Sequence, residues 1–240
     1  MLQNACSVGT RHRGAVIGLA SAYLLGMDQD EEESLEQTAD DLFLTAVLFE
    51  SALGLLALLL GWLLGPDTRA MVPEPDAAGA GAVASGLAYG CAAAIPIVIL
   101  IELVRRIPWE PVRELERLSK DGVIQTLLSL SGAELIVISL CAGVGEELLF
   151  RGWLLPWLAT GGEVATEVTQ VEWAFALVAS SIAFGLVHPF TKLYFFLAAL
   201  MGLYFGVLLL WTDNLLIPIA AHATYDAAQL LMTKFTKDDG

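Results

Sequence analysis

Six runs of mostly apolar side chains divide the chain, at residues 42–64, 80–104, 134–158, 171–188, 193–211 and 215–233. A helix needs roughly 20 such residues to cross a hydrocarbon core about 30 Å thick, and each run is close to or above that length. Between the second and third runs, Pro108 and Pro111 interrupt the chain. Residues 112–120 follow, with Val112, Leu115 and Leu118 at helical spacing among charges. That pattern predicts a helix lying along a membrane surface. The expected fold is therefore all-α: a polytopic transmembrane helix bundle of about six spanning helices with one extra interfacial helix.

Composition agrees. Of the 240 residues, 56% are hydrophobic and 16% are charged, against about 25% charged in soluble domains. The domain reading is an N-terminal segment over 1–41 and an integral membrane domain over 42–240. Within the first segment, residues 14–26 follow Arg11 and Arg13 and contain Ala20-Ser21-Ala22, which resembles a signal peptide. Thirteen residues are too few to span, so an interfacial or core-packed helix is expected there.

The net charge of −15 owes much to eight acids within residues 28–41. They predict a solvated, disordered acidic tail rather than an arm for a basic partner, and no nucleic-acid partner is expected. Cys6, Cys91 and Cys141 are scattered without metal-ligand spacing. Residues 66–79 and 159–170, rich in Gly, Pro, Asp and Glu, read as outer loops. Gly202 and Gly206 form a GxxxG expected to pack within the bundle.

Orientation follows from Lys and Arg near the helix ends. With a cytoplasmic N-terminus and six crossings, Arg11, Arg13, Arg105, Arg106, Arg113, Arg117, Lys120, Lys192, Lys234 and Lys237 fall inside, and Arg69 alone falls outside. A multi-pass protein of the cell membrane with both termini cytoplasmic is the expectation.

Three of the apolar runs carry ionisable groups, which are expensive inside a membrane and mark function. Glu146, Glu147 and Arg151 lie in the third run, His188 ends the fourth before Pro189, and His222 and Asp226 lie in the sixth. On a helix Glu147 and Arg151 are i and i+4, so they share a face and pair, while Glu146 points about 100° away and stays free to act as a base. His222 and Asp226 have the same spacing, which lets Asp226 orient the imidazole. A glutamate, two histidines and an aspartate provide either a general base with polarising donors or ligands for a divalent metal.

These motifs resemble those of the CPBP family, the CAAX prenyl endopeptidases and bacteriocin-processing proteases, also called the Abi family. Its EExxxR is matched by Glu146, Glu147 and Arg151, its FxxxH by Phe184 and His188, and its HxxxN/D-type motif by His222 and Asp226. The matching core covers about residues 134–233. The resemblance implies an intramembrane endopeptidase acting on a membrane-associated protein or peptide, lipidated or not. It implies that Glu146 and His188 activate water, that His222 and Asp226 stabilise the oxyanion, and that Glu147 and Arg151 hold the architecture. The prenyl-peptidase branch has Asn where this chain has Asp226, and an ionised Asp cannot donate to an oxyanion. Asp226 must then be protonated, orient His222 or help bind a metal.

A metalloprotease holding a divalent ion such as zinc remains the alternative to metal-free catalysis, which is preferred because no HExxH-type pair occurs on one helix. Two other readings compete. A non-proteolytic protein of the same fold, in immunity or as a scaffold, would not need every catalytic position. A transporter is disfavoured by the lack of an inverted repeat.

Overall fold

A computed structural model describes residues 29–74, 79–118, 122–162 and 167–238. It is all-helical, with no strand among the described residues. The helices are α1 (Gln29–Leu64), α2 (Ala80–Arg105), α3 (Glu110–Leu118), α4 (Gly122–Ser129), α5 (Gly132–Glu147), α6 (Leu155–Thr160), α7 (Gln170–Leu186), α8 (Lys192–Thr212) and α9 (Leu216–Asp238). A π-helical stretch, Leu148–Leu154, joins α5 to α6.

Among the described residues, three helices are long and apolar enough to cross a membrane: 27 residues of α1, 26 of α2 and 21 of α8. A fourth span exists if α4 and the helix running from Gly132 to Thr160 count together, and these are bent by 113° at their junction. By length and composition the expected six spans are not reached. Helix α7 has 17 residues, about 25 Å at 1.5 Å per residue. Helix α9 is long enough but carries His222, Asp226, Gln229 and Lys234, which dilute its apolar character.

Local signals set the helix starts. Ser131 and Glu134 form a capping box on α5, and Thr169 and Glu172 form one on α7, each satisfying amides that a helix start leaves free. The acidic stretch is helical from Gln29 rather than disordered. It is free of Gly and Pro as far as Leu53. By Ala39 the helix is packed against Leu130, Leu135 and Ile138. The apolar stretch over 14–26 lies outside the described residues.

A helix forms between the second and third runs, starting earlier than the sequence predicts, at Glu110. Its Val112 is buried, and Glu110 pairs with Arg113 and Arg117 at 2.7 and 2.9 Å. Hydrogen bonds from those two guanidinium groups hold the Glu110 carboxyl below its ordinary pKa. The first expected outer loop folds back on the bundle: Thr68 is buried with its hydroxyl donating to Ala57 O at 2.8 Å, and Leu215 N donates to Met71 O.

Helix α5 is the axis of the arrangement, packed on α1 from one side and on α9 from another. Two glycines permit this. At Gly143 a Cβ would meet Ala223 and the carbonyl of Ile219 at 2.9 Å, so α9 comes close there. At Gly145 it would run into the backbone carbonyl of Glu50, so α1 comes close on a different face. Gly202 and Gly206 lie against Ser181 and Leu177 of α7, which is the packing within the bundle that the GxxxG predicted.

Candidate active site

The two carboxylates end α5, and the backbone widens into the π-helix immediately after them. Pro156, in the first turn of α6, has no amide hydrogen to return to Gly152, and its ring would crowd that carbonyl in a regular helix. The wider turn accommodates it, and such turns are frequent at functional sites. Arg151 still reaches back one turn, as the sequence predicts, and its Nη1 donates to Glu147 Oε1 at 2.9 Å with both side chains fully buried.

Glu147 Oε1 also accepts from His222 Nδ1, at 2.9 Å. The other nitrogen of that ring, Nε2, lies 3.3 Å from Asp226 Oδ2. Four of the expected residues thus form one string, Arg151–Glu147–His222–Asp226, crossing from α5 to α9 where Gly143 lets the helices approach. Asp226 is its open end, with a side chain 28% exposed against 5% for His222.

Glu146 stands apart from the string. It is buried, and its Oε2 takes no hydrogen bond among the described residues. The nearest partner is His188 Nε2 at 3.8 Å, too long for a direct hydrogen bond. His188 Nδ1 donates to Phe184 O at 2.8 Å. A carbonyl can only accept, so in the neutral ring Nε2 is the bare nitrogen and faces Glu146. Helix α7 stops here: its last turn, followed by Pro189, leaves His188 beside Glu146.

Phe184 explains the aromatic position of the FxxxH motif. Its ring lies 4.4 Å from the Arg151 guanidinium carbon, 4.8 Å from the His188 ring and 5.9 Å from the His222 ring. One side chain therefore braces the cation and both imidazoles.

Residues 129–228 match the family described as type II CAAX prenyl endopeptidase Rce1-like. That match covers 100 of the 240 residues. This is consistent with the CPBP family and supports CAAX protease-type activity in general. No curated protein and no solved structure matches the chain.

The matched region contains all six residues singled out from the sequence, and the fold brings them together. Their fit to a metal is poor. A catalytic zinc takes three protein ligands, and among the described residues no three His, Cys, Asp or Glu side chains gather closely enough to hold an ion.

One residue near the site was missed, and it lies outside the matched region. Glu50 belongs to the first span, α1, and its Oε2 is buried without a partner among the described residues. Its carboxylate is within electrostatic reach of Glu146, His222 and Asp226. The signal was available: an acid inside an apolar run, as costly as those in the motifs.

Proposed function

We propose that the protein is an intramembrane endopeptidase that hydrolyses a peptide bond of a membrane-associated, lipidated protein or peptide, using water activated by Glu146 and His188 without a metal. The observation that carries this reading is the facing pair of acceptors, Glu146 Oε2 and His188 Nε2, 3.8 Å apart. A group that satisfies two acceptors must donate twice, and water does so. When its oxygen attacks the peptide carbonyl carbon, its proton passes to Glu146. That proton then goes to the amine nitrogen as the carbon–nitrogen bond breaks. His222, as the imidazolium with Nδ1 held on Glu147, donates to the developing oxyanion from Nε2, a hydrogen it shares with the half-buried Asp226 carboxylate. Glu147 and Arg151 hold the other end of the ring.

A lipid chain has a place to lie. A cavity of about 380 Å³ between α2 and α8 is lined by Pro96, Ile97, Leu100, Ile101, Met201 and Tyr204. Ile97 and Ile101 pack on Phe205, whose ring stacks on His222 at 5.2 Å. Ile97 and Ile101 thus connect the cavity to the ring that stacks on the polar site.

The test compares wild type and Glu146→Gln on lipidated and unlipidated peptides, with and without a chelator. Cleavage of lipidated peptides that survives chelation and disappears in the variant is expected. Activity lost on removing about one zinc per chain and regained on its return would overturn the metal-free mechanism. Wild-type turnover in the variant would remove the proposed base.

For topology, both termini face the cytoplasm in this reading, supported by the asymmetry of Lys and Arg. A cysteine introduced at Asp239 should be labelled from the cytoplasmic side. Labelling solely from the outer side would reverse the orientation or change the number of crossings.

A further inference from the structure

Glu146 and His188 satisfy the attacking water between them, so Glu50 is an acceptor without a task in the reaction as described. Its position is not accidental packing of a surface acid. It sits within the 27-residue span of α1, and its backbone carbonyl is pressed against Gly145, the residue before Glu146. The reciprocal contact, Gly54 against the Cα of Gly145, fixes α1 at that crossing. The side chain is half-buried and its Oε2 is closed off from solvent. Leaving a carboxylate oxygen buried and unsatisfied is expensive, and natural sites supply such an atom with a donor.

The geometry points to a donor that arrives with the substrate. A peptide entering this site carries backbone N–H groups, and in apolar surroundings each unpaired one costs several kcal/mol. The string from Arg151 to Asp226 engages donors that the protein itself supplies, and Glu146 faces His188. Glu50 approaches Glu146 from α1, whereas His222 comes from α9, so the two helices hold α5 between them. We propose that Glu50 binds substrate: its carboxylate accepts a hydrogen bond from one backbone N–H of the peptide beside the scissile bond and so fixes the register of cleavage. This inference rests on the endopeptidase reading above.

The test crosses two changes. A cleaved peptide is N-methylated at each backbone position flanking the scissile bond in turn, and each version is assayed with wild type, Glu50→Leu and Glu50→Gln. At one position methylation should lower kcat/KM of wild type by about 10- to 100-fold, the range for a hydrogen bond to a charged group. The same methylation should cost Glu50→Leu nothing further. Glu50→Gln keeps volume and an acceptor oxygen, so its penalty at that position should be smaller than in wild type but present, and it serves where the leucine variant fails to fold. Equal methylation penalties in wild type and a folded variant, at every position, would overturn the assignment. Failure of wild type to cleave any peptide would instead overturn the endopeptidase reading.

Discussion

Two neighbouring glutamates on one helix illustrate two ways of keeping a charge in an apolar place. Glu147 is fully buried and compensated at one oxygen: Arg151 and His222 both donate to its Oε1 at 2.9 Å, while its Oε2 and Arg151 Nη2 take no hydrogen bond among the described residues. Glu146 is also buried, yet its Oε2 faces only His188 Nε2 at 3.8 Å, and Glu50 on the adjoining helix has an oxygen in the same condition. Burying charge without partners is costly, and a fold bears that cost where chemistry uses it. The compensated side builds the site. In the proposed reaction the uncompensated side leaves acceptors for water and substrate.

The sharpest way to break this contrast is to substitute the two residues in the same manner. Glu146→Gln should lower peptide hydrolysis by about 10²–10⁴-fold, the worth of a general base, with the thermal unfolding of the detergent-solubilised protein unchanged. Glu147→Gln should lower stability by about 3–5 kcal/mol, because Arg151 loses its buried counter-charge. If both variants lost stability equally and kept proportionate activity, the division of labour would fail. A smaller effect tests the crossing that brings Glu50 to Glu146. Gly145→Ala should destabilise by about 1–3 kcal/mol, since the new methyl meets backbone of α1 rather than a flexible side chain. Unfolding measurements matching wild type would show that α1 is free to shift.

Much of this is legible in the chain because a membrane makes polar residues conspicuous. Glu146, Glu147, Arg151, His188, His222 and Asp226 stand out against their apolar runs, and helical spacing predicts the Glu147–Arg151 and His222–Asp226 pairs. Helical periodicity acts only within a helix, however, so the 2.9 Å contact between Glu147 and His222, 75 residues apart, is beyond it. The π-helix after Glu147 is not foreseen either, although Pro156 is a signal for it. Glu50 escapes a reading of its run for length, because it matches no motif. Charge alone misjudges the acidic stretch, whose lack of Gly and Pro already allows α1 to begin at Gln29.

The shortness of α7 bears on which bonds can be cut. Because it stops at His188, the reacting groups lie at one level of the bundle, and Glu146 is twelve residues beyond Glu134, about 18 Å along the helix. Under the proposed endopeptidase reading this depth acts as a ruler. Substrates are then sorted by the span between the point where they enter the membrane and the bond presented to Glu146, and sequences of unlike composition but equal span become equivalent.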